Sequence, residues 1–331
     1  MAWHRQTRMR SLDTKLEQIG AGHYRPAGFI IADAKDADMS VGVPTAGVAG
    51  SGWLPVADYR KAMRDITASG LVDVILMSLS SAETLANEGT FEGSPVTPAI
   101  RLNDTTDIWA GRGGIYQKHP ALPFATARLE HARRIADLGL YAITFCNDPA
   151  RDIDTLNAYR WFREAAEGAG MRHFLEVFNP MVPVSLGDTS LGDYLNDMIV
   201  RCLAGVSRSE APRFLKVAYN GPRAMEDLAG YDPGNLIVGI LGGGSGTTRD
   251  TMELVYQAER HGARVALFGR KIRMAEDPPE IIAAMRRVVE GQQSPQDAVR
   301  DYHDRLKRKK LSPRRPLADD LEITEPVLRA G

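Results

Sequence analysis

RFLKVAYNGP, residues 213–222, sets a charged side chain, Lys216, in the middle of an apolar run that otherwise reads as a buried strand. Period-two alternation puts Phe214, Lys216 and Ala218 on one face and Leu215, Val217 and Tyr219 on the other, so the amine shares its face with apolar neighbours. Desolvation disfavours an ammonium and leaves a neutral amine that can attack a carbonyl. Two plainer readings compete: an ion pair with a carboxylate on a neighbouring strand, or a place near a strand end from which the side chain reaches water.

Working outward, NLIVGILGGGSG (235–246) and ARVALFGRKI (263–272) read as two further buried strands, with the helical stretch TRDTMELVYQAERHG between them. Upstream, strands are expected in GFIIADAKDADMS, LVDVILMSL, PVTPAIRLND, LYAITFCND and MRHFLEVFNP. Pro95 and Pro98 are awkward in a central strand, so the third strand should begin in a bulge or outside the ladder. Helical stretches separate most of these strands, among them PVADYRKAMRDITAS closed by Gly70 and FATARLEHARRIADL closed by Gly139. Residues 103–123 form an irregular stretch long enough for a lid or binding loop.

Eight strands alternating with helices predict an α/β fold, a (β/α)8 barrel with N- and C-terminal helical extensions. Residues 1–25 form an arm or helix in this reading, with Leu12, Leu16 and Ile19 at helical spacing; residues 26–292 form the barrel, and 293–331 a C-terminal helix and tail. An open sheet would call for GxGxxG after the first strand, and none is there.

The 331 residues, 44% hydrophobic and 25% charged with a formal net charge of -1, fit a globular protein without a global field for nucleic acid or membrane. No run of about 18 apolar residues occurs, and no apolar stretch follows the basic N-terminal residues, so a cytoplasmic protein is expected. Cys146 and Cys202 lie in no CxxC and the seven histidines in no HExxH or HxH, so neither a metal nor a cofactor is expected. The basic run Lys307–Lys310 with Arg314 and Arg315 reads as a solvated helix end and tail, offset by Asp319, Asp320 and Glu322.

After the seventh strand, Gly242, Gly243, Gly244 and Gly246 let the backbone approach an anion, and Ser245, Thr247 or Thr248 can donate hydroxyls. After the eighth, Gly269 is followed by Arg270 and Lys271, which supply charge. In a barrel these loops are neighbours at the C-terminal face, so together they predict a phosphate site, a tight βα turn being the alternative.

With strand-borne Lys216, then VGILGGGSG, a helix, and VALFGRKI, the run Phe214–Ile272 resembles the DhnA-type class I aldolases of the deoxyribose-phosphate and fructose-bisphosphate aldolase superfamily. The resemblance implies that Lys216 forms a Schiff base with a ketose phosphate and that the last two loops bind phosphate. It also implies a homo-oligomer. Two departures stand out. The His-Gly expected after the first-strand aspartate is missing, that aspartate being Asp33 or Asp36. The fifth strand ends LEVFNP, with Asn179 where the family usually has tyrosine before proline, and an amide is no general acid.

Candidates for the missing proton carrier are Glu176, Tyr219 and Asp33. Alternation puts His173, Val177 and Asn179 on one face and Glu176 on the other, which would turn Glu176 toward the helices. Asp33 at a strand's C-terminal end fits a proton shuttle; its plainer role is a loop-start residue or an ion pair with Lys35 or Lys216. Asn103, Asp104, Asn147 and Asp148 begin loops where substrate hydroxyls can be read, with helix N-capping the alternative for Asp148 and Asp152. Asn179 and Arg101 join the expected substrate-binding set, and Arg101, Trp109 and Arg112 suit a lid. The expected activity is a metal-independent aldehyde-lyase acting on a small phosphorylated sugar or keto substrate. A transferase or isomerase on the same scaffold, or a non-catalytic barrel that binds a phosphorylated ligand, are the alternatives.

Overall fold

A computed structural model of the chain describes residues 10–330, so the part of the expected arm at residues 1–9 lies outside it. Eight parallel strands close into one barrel: β1 (Ile30–Lys35), β2 (Val74–Met77), β3 (Thr97–Arg101), β4 (Leu138–Thr144), β5 (Arg172–Phe178), β6 (Leu215–Val217), β7 (Gly239–Leu241) and β8 (Val265–Phe268). Each pairs with its neighbours in chain order, and Ile30↔Val265 through Asp33↔Phe268 closes the ring. Helices between strands cover the outside, which is the (β/α)8 barrel expected.

Two apolar layers follow from strand alternation. Ile30, Ala32, Ala34, Val74, Leu76, Ala99, Leu138, Leu140, Ala142, Phe174, Phe214, Val265 and Leu267 fill the interior. Phe29, Ile31, Ile75, Met77, Leu175, Val177, Leu215 and Phe268 face the helices. Leu12, Leu16 and Ile19 of the helix Ser11–Gly20 join the interior layer. The same helix is tied to strand starts by Lys15 on Asp73 and Asp13 on Arg172, so it plugs the N-terminal end of the barrel. Burying those three side chains contributes about 1.5–3 kcal/mol each.

Three details differ from expectation. Gly139 does not stop a helix: the helix there is only Leu129–Arg133, and Gly139 lies inside β4, where any Cβ would come within 2.2 Å of Leu102. Pro98 is inside β3, at a level where β3 pairs with β2 but not yet with β4, whose ladder starts at Ala99↔Leu138. A helix, Pro222–Tyr231, also connects β6 to β7. Among the described residues no helix is long and apolar enough to cross a membrane.

Candidate active site

Lys216 and Glu176 sit level on adjacent strands, one layer above a stacked pair, Phe174 and Phe214, whose rings are 4.6 Å apart in the interior. Period-two alternation therefore turns both polar side chains inward, toward the C-terminal mouth. Lys216 Nζ lies 2.5 Å from Glu176 Oε1, with the lysine 6% exposed and the glutamate 1%. The expectation that Glu176 faces the helices is thus corrected. His173 and Val177 take the helix side, and His173 Nε2 bonds the Tyr159 hydroxyl at 2.8 Å.

Burial pushes the Glu176 carboxyl above the ordinary glutamate range, against the pull of Lys216 and Arg101. Its second oxygen, Oε2, is buried and has no hydrogen-bond partner among the described residues. Breaking such a buried pair on one side costs far more than replacing both members, so the pair behaves as a unit.

Two strands from Glu176 around the ring, Arg101 at the end of β3 holds two carboxylates. Its Nη1 donates to Asp36 Oδ2 at 2.9 Å and its Nη2 to Asp104 Oδ1 at 2.7 Å, while Nε donates to the Asn103 carbonyl. Burial works against the guanidinium, and the combined charge of Asp36, Asp104 and Glu176 outweighs it. Asn103 stitches β3 to β4 by bonding both N–H and C=O of Ala142. Arg101 also donates to Ser40 Oγ, and the Ser40 carbonyl accepts from Ala110 N–H, which pins the 105–124 loop over the mouth. That loop carries Trp109 stacked on Tyr116 at 4.6 Å, and Arg112 lies over the Trp53 ring.

The inner acid of β1 is Asp36. Ile30, Ala32 and Ala34 face the interior while Phe29 and Ile31 face the helices, which places Asp33 and Lys35 on the outer side, ion-paired to each other at 3.1 Å. The structure does not bring Asp33 to Lys216. Tyr219 also belongs to the helix layer, where its hydroxyl donates to Gln257 and burial pushes it up to about 12. Asn179 pairs reciprocally with Asn220 and lines a small cavity beneath Leu195 and Ile199, away from the interior. Asp148 caps the helix Pro149–Ala169, and Asp152 accepts from Cys146 N–H.

In the loop after β7, Gly243 and Gly246 have positive φ, 63° and 58°, and at Gly246 a Cβ would meet Asp250 Oδ2 at 2.6 Å. Gly243, Gly244, Ser245 and Gly246 donate no backbone hydrogen bond among the described residues. Gly269 precedes the short helix Arg270–Arg273 and lies close to the Ala34 carbonyl, with Arg270 exposed.

The N-terminus of the following helix, Thr248–Arg260, is already occupied by the chain's own tail. Thr248 N–H donates to Asp320, Thr247 Oγ1 to the Glu322 carbonyl, and Asp250 accepts from Thr324 and Glu325. Lys271, fully buried, pairs with Glu325 at 2.7 Å. Beside this strap, Ser245, Thr248, Lys271, Arg314 and Arg315 line a cleft of about 290 Å3. The two arginines, expected on a solvated tail, thus stand next to the glycine loop.

No family model matches the chain. No curated protein matches it either. Solved structures do. A fructose-bisphosphate aldolase from Slackia heliotrinireducens is 12% identical, with 89% of this chain and 90% of that one covered at a TM-score of 0.61. A Schiff-base-forming fructose 1,6-bisphosphate aldolase is 16% identical over 84% and 99%, TM-score 0.59. An archaeal fructose 1,6-bisphosphate aldolase whose catalytic lysine carries the carbinolamine intermediate is 17% identical over 85% and 100%, TM-score 0.58. The chain shares the fold of these class I aldolases.

Proposed function

We propose that the chain is a class I aldolase that cleaves or forms a C–C bond in a phosphorylated sugar or related keto substrate, with Lys216 as the nucleophile. The observation that carries this reading is the buried Lys216–Glu176 pair, 2.5 Å apart at the inner mouth of the barrel. An amine that must become neutral to attack needs a proton acceptor in contact, and Glu176 is that acceptor.

Glu176 takes a proton from the Lys216 ammonium, the amine adds to the substrate carbonyl, and the protonated Glu176 returns the proton to the carbonyl oxygen, giving a carbinolamine. A second transfer from nitrogen to oxygen through the same carboxyl expels water and leaves a protonated imine. That cation draws the electrons of the breaking C–C bond and becomes an enamine, which water later releases. Burial of Glu176 favours its protonated form, which suits a group that must carry the proton between two atoms. Its place at Lys216 also supplies the proton transfer that Asn179 cannot.

The free N–H groups of Gly243, Gly244, Ser245 and Gly246, with Arg270, suit a phosphate held beside the mouth. Holding that phosphate fixes the carbonyl against Lys216, which turns a bimolecular encounter into an intramolecular one. Borohydride reduction in the presence of dihydroxyacetone phosphate or fructose 1,6-bisphosphate, followed by peptide mapping, tests the reading. It requires a reduced adduct on Lys216 that is absent in Lys216→Met.

A further inference from the structure

We propose that Asp104 is the base that removes the proton from the substrate's β-hydroxyl, the hydroxyl on the second carbon from the imine carbon, whose loss of a proton triggers C–C cleavage. The inference rests on the Schiff-base reading of Lys216 and assigns the step that Glu176 leaves open.

Retro-aldol cleavage needs two proton carriers at different places. One works at the amine nitrogen and the carbonyl oxygen, where Glu176 sits beside Lys216. The other must reach a hydroxyl on the carbon chain beyond the carbonyl, farther from the amine than Glu176. Asp104 lies three residues past β3, in a short strand, Asp104–Thr105, that pairs with Pro123–Phe124, and β3 is three strands from β6 around the eight-stranded ring. The charges that bear on it are Arg101, Asp36 and Glu176, which line the same interior.

Its two oxygens have different environments. Oδ1 is saturated, accepting Arg101 Nη2 at 2.7 Å and the Thr105 N–H at 2.8 Å. Oδ2 is buried and has no hydrogen-bond partner among the described residues, on a side chain only 1% exposed. A buried acceptor without a donor is costly to maintain, and a substrate hydroxyl is a donor of the right chemistry. Arg101 and Thr105 fix the carboxylate's orientation through the other oxygen. Asp36 lacks this arrangement: its buried oxygen is spent on the same arginine, and no buried oxygen of it is left without a partner. Burial also lifts the Asp104 carboxyl to about 6, near the value at which a base is both ionised at neutral pH and avid for a proton.

In the step itself the O–H proton goes to Asp104 Oδ2 and the oxygen lone pair forms the aldehyde C=O. The Cα–Cβ bond breaks, its electrons form a C=C bond to the imine carbon, and the C=N+ π pair moves onto nitrogen. The products are a neutral enamine on Lys216, a free aldehyde and a protonated Asp104, so charge and electrons balance without any further reactant.

Asp104→Asn keeps the side chain's shape and an oxygen for Arg101 and Thr105, and removes only the basicity. With dihydroxyacetone phosphate, which has a carbonyl but no β-hydroxyl, borohydride trapping on Lys216 is expected to stay within about threefold of wild type. With ketose 1-phosphates and 1,6-bisphosphates, cleavage is expected to fall by about 10²-fold or more. Cleavage at the wild-type rate, or loss of trapping together with cleavage, would each overturn the assignment. Wild-type protein that traps dihydroxyacetone phosphate on Lys216 but cleaves none of the ketose phosphates would overturn it and leave the Schiff-base reading standing. Wild-type protein that traps nothing would overturn both.

Discussion

Replacing Asp104 by asparagine should make the protein more stable at neutral pH. Burial raises the Asp104 carboxyl from 3.8 to about 6, despite Arg101 and the Thr105 N–H. Between those values the folded chain holds a proton that the unfolded chain has lost, so stability falls as pH rises through the window and the full deficit is present above it. At about 1.4 kcal/mol per pH unit the deficit is about 3 kcal/mol. Asparagine resembles the protonated acid and escapes it. Urea unfolding midpoints of wild type and Asp104→Asn, compared from pH 4.5 to pH 7.5, should show an advantage for the variant that grows to about 3 kcal/mol at the upper end and shrinks toward the lower. A variant less stable than wild type at pH 7.5, or an advantage independent of pH, would refute the argument that this carboxylate is held at a cost. A stabilised variant with impaired cleavage would be the expected signature of a site kept for function.

Glu176→Gln should slow Schiff-base formation by about 10²-fold or more, because the amine loses its proton acceptor; timed borohydride trapping measures it, and an unchanged rate would remove Glu176 from the mechanism. Asp33→Asn should leave cleavage within about threefold, since Asp33 faces the helix layer and pairs with Lys35; a loss of about 10²-fold in steady-state turnover would put Asp33 back in the site. His173 is held down to about 4, chiefly by burial, so the unfolded chain takes up a proton below pH 6.5 that the folded chain refuses. Its contribution is complete above that pH and is lost as pH falls toward 4, about 3 kcal/mol in all. His173→Asn should flatten the stability profile across that window, and an unchanged slope would show that His173 is not held neutral.

The barrel was legible because its signals repeat: eight apolar runs separated by helices leave few alternative architectures. Lys216 was legible because a charge is conspicuous inside an apolar strand. Which face of a strand points inward was not, because the strands of a parallel barrel are apolar on both sides and alternation has no polar reference. That is why Glu176 and Asp33 are expected on the wrong sides. In β1, Ile30, Ala32 and Ala34 share the interior face and Ile31 the helix side. Asp36 follows from that pattern. The Arg101 clamp joins residues 36, 101 and 104 across the ends of β1 and β3, and the strap joins Asp250 to Thr324 and Lys271 to Glu325. Such contacts depend on closure of the chain, and no local spacing announces them.

The central claim is that Lys216 is the nucleophile of a Schiff-base aldolase. Borohydride reduction with dihydroxyacetone phosphate and peptide mass mapping of the product tests it most directly. One reduced adduct is expected, on Lys216, formed more slowly in Glu176→Gln and absent in Lys216→Met. An unmodified Lys216, or an adduct that persists on another lysine when Lys216 is replaced, would contradict it.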